Sequence, residues 1–324
     1  VKTAKQMVRG MLPGCSYKVE HLPVPKPGQA GTADPLFDPT DAGICDGNED
    51  EAQQATQKLT GTPQSIANRY SSELSALQDV LDCCKPTVCT LLDFRTNSCT
   101  LTNLPAEHMI DGAASVSENI LMEYATDLPL SQVGWGRAKD ETILSEINDP
   151  HALLFWGSNA NPYTASISGA NLANQIRRRL KSARRGKGPM LTLLVAHDNN
   201  VLNIGGVIDA QWTVPGYPRN EVPPGSGIAF ELWRDKKSGK RTVTVVLRAQ
   251  TMTQLRNVTR LNTRGPPPGT VALTPPIFGR PTCPLSQMIS KLKSAIDPGS
   301  VSKSLPVASL PTQPHLTPRH PHNS

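Results

Sequence analysis

The densest chemistry in this 324-residue sequence lies in Ala196-His197-Asp198-Asn199-Asn200-Val201. It follows the apolar run Met190-Leu-Thr-Leu-Leu-Val-Ala196, whose length and composition predict a strand buried on both faces. His197 and Asp198 would then stand just past a strand's carboxyl end, where open α/β sheets place their ligands. A cationic imidazole there can hold a phosphoryl oxygen, and a neighbouring carboxylic acid can protonate a departing alkoxide. Asp198 or Asn199 is placed to cap the following helix, whose first amides favour an anion. Taken alone, such a pair after a strand is more often a helix cap beside a hydrogen-bonded core histidine.

A second candidate is Glu123. The spacing of Ala113, Val116, Ile120 and Tyr124 predicts a helix near 112–126 with one apolar face. Glu123 falls inside that stripe, where a carboxylate is costly unless it is paired or faces a cleft. The plainer alternative is a glutamate at the stripe's edge reaching for water.

Other elements must position these residues. Thr62 is a fitting N-cap with Pro63 at the first helical position, and Ile66, Tyr70, Leu74, Leu77 and Leu81 continue a helix over 62–82. Further apolar-periodic stretches cover about 150–156 and 168–183. Ile228-Ala-Phe-Glu-Leu-Trp233 and Thr242-Val-Thr-Val-Val-Leu247 read as strands joined by the polar turn Asp235-Lys-Lys-Ser-Gly-Lys240, a hairpin pattern. A helical middle thus lies between pieces of an α/β layer. Beyond about 290 the chain turns Pro-, Ser- and His-rich, the composition of a disordered tail.

Hydrophobic residues at 37% and charged residues at 19% describe a folded chain rather than a disordered one. The net charge of +6 is concentrated in Arg177, Arg178, Arg179, Lys181, Arg184, Arg185 and Lys187. Such a run can mark a polyanion surface. No aromatic residues interleave with it to stack on bases, so a solvated helix end with cations near its C-terminal dipole is the simpler account. No apolar stretch approaches the ~18 residues of a membrane-spanning helix. The seven cysteines follow no zinc-binding spacing, and in a loop-rich chain they favour disulfides and an oxidising compartment.

The stretch Leu194-Val-Ala-His-Asp-Asn-Asn-Val-Leu-Asn-Ile-Gly-Gly206 resembles the second signature of the histidine acid phosphatases. Similarity to that family, and to its bacterial phytases in particular, continues through Trp212-Thr-Val-Pro-Gly216, Pro223-Pro-Gly-Ser-Gly-Ile-Ala-Phe-Glu-Leu-Trp-Arg234 and Gln250-Thr-Met-Thr-Gln-Leu-Arg256. Upstream, Ala33-Asp-Pro-Leu-Phe-Asp38 and Gly134-Trp-Gly-Arg137 are also similar. The resemblance extends from about residue 1 to about 290.

It implies an α/β fold, a mixed sheet with flanking helices of the phosphoglycerate-mutase-like kind, plus an inserted smaller α-helical domain. On that frame, 1–45 is a remnant of the α/β domain and 46–165 the helical insertion. Residues 166–290 return to the α/β domain with the His-Asp motif, and 291–324 form a disordered tail. The implied activity is hydrolysis of phosphate monoesters, phytate among them, through a phosphohistidine. Asp198 would be the proton donor and His197 would hold the phosphate, with Glu123 and Asn199 on the substrate side. No metal or organic cofactor is implied. The partner is a small phosphate ester, not a membrane or a nucleic acid, and the location is periplasmic or secreted. Cys15 with Cys45, and Cys89 with Cys99, match the family's disulfides, while Cys283 is left to pair with Cys83, with Cys84 or with neither.

The family's nucleophile sits in an R-H-G-x-R-x-P motif, which is absent here: none of the seven histidines follows an Arg and precedes a Gly. The nucleophile and the bidentate arginine clamp would both be missing, so the chain is expected to be inactive alone. The same family segment supplies a central strand, whose loss would leave neighbouring edges unpaired and the chain prone to aggregate. Two other readings stay open. One is a non-catalytic remnant that binds phosphorylated ligands through His197 and the helix amides; the other is a nucleic-acid binder using 177–187.

Overall fold

Among the described residues before Asn48, regular structure is confined to one helix. α1 (Lys2–Met11) buries none of its residues. Asn48 then caps α2 (Glu49–Thr60) by accepting the Glu51 amide, and Glu49, Asp50 and Glu51 fill the first turn, where the helix dipole favours negative charge. The computed structural model describes residues 1–15, 17, 19–23, 26, 31, 33–82, 106–259, 271–274, 279–303 and 305.

Thr62 Oγ1 accepts the Ser65 amide at 3.3 Å, as its capping pattern requires. The predicted helix over 62–82 is nevertheless two helices, α3 (Pro63–Arg69) and α4 (Ser71–Leu81), meeting at Tyr70 with φ −103° and ψ 27°. The Arg69 guanidinium lies over the Tyr70 ring at this joint, 5.1 Å from its centroid. The predicted apolar face is the buried one, with Ile66, Leu74, Leu77 and Leu81 all at 2% exposure or less.

α5 (Ala106–Ala125) begins six residues before its predicted start. It is followed by a tight 3-10 turn over Val133–Gly136, in which Gly134 and Trp135 take φ of 49° and 55°. A side chain at Gly134 would meet Ala138 at 2.8 Å and Val80 at 2.9 Å, so glycine is required there by both backbone and space. The two later apolar stretches become three helices. These are α6 (Glu141–Ala160), capped by Asp140, α7 (Pro162–Ser168), capped by Asn161, and α8 (Ala170–Arg184). The basic run occupies the last turns of α8 and the exposed residues after it, where cations suit the helix dipole.

α9 (Asp198–Ile208) follows, and then the sheet. β1 (Gly227–Arg234) pairs antiparallel with β2 (Arg241–Arg248) in register Gly227↔Arg248 to Arg234↔Arg241, the predicted hairpin. Asp235 Oδ1 ties its turn by accepting the Lys237 and Ser238 amides. A short helix, α10 (Met252–Arg256), separates this hairpin from β3 (Val271–Ala272) and β4 (Thr282–Pro284), which both pair antiparallel with β2. The α/β class is as predicted, but every strand pairing among the described residues is antiparallel, not mixed.

The predicted strand 190–196 is a second correction. The run carries no regular structure and forms no ladder among the described residues, and Met190 is fully exposed. β1 pairs on one side only among the described residues, and 190–196 does not join its outer edge; a run becomes a strand only where a second backbone pairs with it.

α11 (Leu285–Ser294) corrects the predicted tail boundary at 291. Its Leu292, together with Ile296 beyond it, is buried. The Asp297 amide donates to Ser166 O at 2.9 Å, and the Ser302 amide to Asn171 Oδ1 at 2.8 Å. Apolar anchors at 292 and 296 thus hold the chain onto α7 and α8 past the change in composition.

Helices and sheet share one continuous apolar cluster, running from Leu36 through Leu144, Leu202 and Leu247 to Ile296. Among the described residues no helix is long and apolar enough to cross a membrane. Cys15 is exposed, Cys45 half-buried and Cys283 buried, and all three are free thiols. The implied Cys15–Cys45 bond is therefore not formed here; Cys15 stands at the exposed end of α1, which has no buried residue to hold it against the 34–45 loop. Cys83, Cys84, Cys89 and Cys99 lie outside the described residues.

Candidate active site

His197 is the N-cap of α9, with the extended φ and ψ of −101° and 171° that start a helix. Its amide donates to Asn200 Oδ1 at 3.1 Å, and Asn200 Nδ2 donates to the Phe37 carbonyl at 2.7 Å. Asn200, at 2% exposure, thereby fastens the start of α9 to the loop carrying Asp38. That loop is shaped by Asp34, whose Oδ1 accepts the Leu36 amide at 2.9 Å. Burial pushes the Asp38 carboxyl up, and the nearby His197 partly pulls it back.

Three of the four predicted site residues come together at the amide end of α9. His197 is exposed, while Asp198 and Asn199 are half-buried. Asp198 Oδ1 accepts the Asn199 amide at 2.8 Å, and Asn199 Oδ1 accepts the Asn200 amide at 2.9 Å. A cavity of about 120 Å³ opens beside them, lined by Phe37, Asp38, Thr40, Asn159, Asn199 and Asn203. The amides of His197, Asn199 and Asn200 at this terminus are thus taken up by side-chain oxygens, which leaves the exposed His197 imidazole as the group facing solvent there.

Glu123 is not with them. Its carboxylate accepts the Gly134 amide at 2.9 Å, holding the left-handed turn after α5. The α5 carboxylate that reaches the α6–α9 side is Glu118, with Oε2 3.6 Å from His151 Nε2. Five positions on a helix turn the side chain by about 140° and move it about 7.5 Å along the axis, so one face cannot carry both.

His151, Glu221 and Asn148 were not found by sequence reasoning. His151 Nδ1 lies 3.3 Å from Glu221 Oε2, which also accepts Asn148 Nδ2 at 2.8 Å. The Trp212 indole pins Glu221 by donating to its carbonyl at 2.6 Å, and Phe155 stacks on the His151 ring at 5.4 Å. Burial alone would depress the imidazole. Its bond to Glu221, the Glu221 charge, and then Glu118 and Asp198 outweigh that and raise it. The sequence signal was a lone histidine in the apolar stretch 150–156; Glu221, in an aperiodic Pro-bounded loop, gave none.

Packing brings the two groups together. A Cβ at Gly206 would collide with the Ala160 carbonyl and stand 2.7 Å from Ala165 Cβ, so α9 crosses the α6–α7 junction backbone to backbone. Asp198 is thereby close enough to act on the His151 charge.

The model of the histidine phosphatase superfamily (branch 2) matches residues 1–248. The chain belongs to that superfamily. Within it, the chain is 28% identical over 295 residues to the phytase AppA of Escherichia coli, a match covering 84% of this chain and 66% of that one. It is 24% identical over 277 residues to the glucose-1-phosphatase of Salmonella typhimurium, covering 82% and 64%. This histidine phosphatase superfamily member thus spans about two thirds of the length of these curated relatives. The Hafnia alvei phytase solved with tartrate matches with a TM-score of 0.76 at 27% identity, over 93% of this chain and 77% of that one. The same phytase solved with myo-inositol hexakis sulphate matches with a TM-score of 0.75 at 27% identity, over the same shares.

Proposed function

We propose that this superfamily member is a histidine-type acid phosphomonoesterase in its architecture, acting on phytate or comparable phosphate monoesters. The main support is the placing of His197, Asp198 and Asn199 at the solvent-facing start of α9. His197 holds the phosphoryl oxygens, and Asn199 contacts the substrate. A histidine nucleophile attacks phosphorus, the ester P–O bond breaks, and Asp198 gives its proton to the leaving oxygen. Water then attacks the phosphohistidine and loses a proton to the Asp198 carboxylate as phosphate leaves. These 324 residues contain no R-H-G-x-R-x-P motif to supply that nucleophile, so this chain by itself binds phosphate esters without turning them over. The Hafnia alvei phytase complex with an inositol hexakis sulphate favours a polyanionic ester as substrate, in a periplasmic or secreted setting.

The test is phosphate release at about pH 5, in the range of a protonated carboxyl donor, from phytate and from an aryl phosphate. The chain as it stands should release none. Joined to an upstream segment bearing R-H-G-x-R-x-P it should become active, and Asp198→Asn should cut that rate by about 10²–10⁴-fold. Turnover by the unextended chain would mean that another residue attacks phosphorus. An extended chain that neither binds nor hydrolyses either ester would end the phosphomonoesterase reading.

A further inference from the structure

The basic run over 177–187 plays no part in the phosphate chemistry above, yet the fold holds it in one place. Gly186, at φ 70°, closes α8: its amide donates to Ala183 O at 3.0 Å and the Lys187 amide to Ser182 O at 3.1 Å. A helix end fixed in this way sets Arg184, Arg185 and Lys187 on one exposed turn. α11 packs against α8 and brings Lys293 to the same place. Arg177 above all, with burial and then Lys293, Arg184 and Arg185, holds the Lys181 ammonium below its ordinary range.

Carboxylates do not offset this charge. Glu20 acts on Arg179, but among the described residues no ion pair reaches the cations of 177–187 or Lys293. Arg177 donates instead to the neutral Asn174 side chain, at 3.2 Å from Nε. These eight cations against a net charge of +6 leave the rest of the chain at −2, so the positive charge is gathered on one surface. Helix dipoles favour cations in the last turns of α8 and α11. They give no reason for Arg185 and Lys187 beyond the helix end, where crowding of like charge opposes folding.

The residues that follow say what such a surface meets. Gly188, at φ 95°, and Pro189 lead the chain out of the basic turn, and Met190 follows fully exposed, with Leu191 52% exposed. Two large apolar side chains in water beside a cluster of arginines and lysines match a lipid surface. The cations meet headgroup phosphates, and the apolar pair enters the acyl boundary. A nucleic-acid duplex would use the cations alone, and no aromatic residue lies in the run to stack on single-stranded bases.

We propose that the end of α8, with Lys293 and the Met190–Leu191 pair, is a docking surface for an anionic phospholipid bilayer, on which the protein lies without spanning it. Docking of this kind is independent of the phosphomonoesterase reading.

The experiment is co-sedimentation of the full chain with vesicles of equimolar phosphatidylglycerol and phosphatidylcholine, beside vesicles of phosphatidylcholine alone. The chain should bind the anionic vesicles about tenfold or more tightly than the neutral ones, and lose affinity as salt rises. Arg184→Glu with Lys187→Glu should weaken that binding by about tenfold or more, and Met190→Ser with Leu191→Ser several-fold. All four side chains are exposed, so both variants should keep the wild-type unfolding midpoint. No preference for the anionic vesicles, or binding untouched by the charge reversal, would overturn the proposal. A serine pair that changes nothing would remove the reason to choose lipid, and a duplex DNA held as tightly as the vesicles would then assign the surface to nucleic acid instead.

Discussion

Asn200 Nδ2 donates to the Phe37 carbonyl at 2.7 Å, joining residues 163 positions apart in the chain. The same side chain accepts the His197 amide, so a single buried amide sets both the start of α9 and the loop facing it. Asn200→Ala should cost about 1–3 kcal/mol, the penalty of stranding buried backbone groups. Denaturant unfolding measures it, and an unchanged midpoint would mean that water replaces the amide.

Glu123 and Glu118 should separate cleanly. Glu123→Ala removes the acceptor of the Gly134 amide and should lower stability by about 1–2 kcal/mol without altering phosphate-ester affinity. Glu118→Ala, on the half-exposed partner of His151, should change ester affinity and leave stability nearly untouched. Paired unfolding and binding measurements on both variants decide this, and identical behaviour would contradict the division drawn between them.

Gly134→Ala should be worse than either. The backbone there is left-handed, and the new methyl would press on Ala138 and Val80. Strain of this kind is worth about 1–3 kcal/mol before any clash is counted. A thermal scan that shows no loss would imply that the turn after α5 rearranges freely.

Stability should depend on pH through His151. The folded ring binds its proton more tightly than the unfolded one, whose value is 6.5. Its contribution is therefore complete below about pH 6.5 and is lost as pH rises through the raised folded value. The carboxyls of Asp38 and Asp149 are also raised, each mainly by burial, from the ordinary value of 3.8. Their contributions are complete below that value and fade on the acid side of the histidine window. Unfolding midpoints followed upward from pH 6 should fall in the wild-type chain and stay nearly flat in Glu221→Gln. A flat wild-type profile would show the ring to be neutral.

The hairpin was legible because alternation, a polar turn and β-branched residues all agree over 227–248. The start of α9 at His197–Asp198 was legible because an apolar run gives way there to consecutive capping residues. Glu123 misled because periodicity reports which face of α5 is apolar, not which polar residue meets a neighbouring helix. Glu221 was invisible for a related reason: a loop has no period, and only the packing of α6, α9 and Trp212 brings that carboxylate to a histidine 70 positions away. The strand over 190–196 failed because an apolar run states a wish for burial, whereas a strand also needs a second backbone.

The contact between Gly206 and the Ala160 carbonyl bears on how such a chain can change over generations. Gly206 is eight positions from Asp198 and does no chemistry, yet any larger residue there would lever α9 away from α6. Asp198 and His151 would then part company without either being altered. A lineage could thus lose this site by a substitution in a residue that no inventory of polar side chains would inspect.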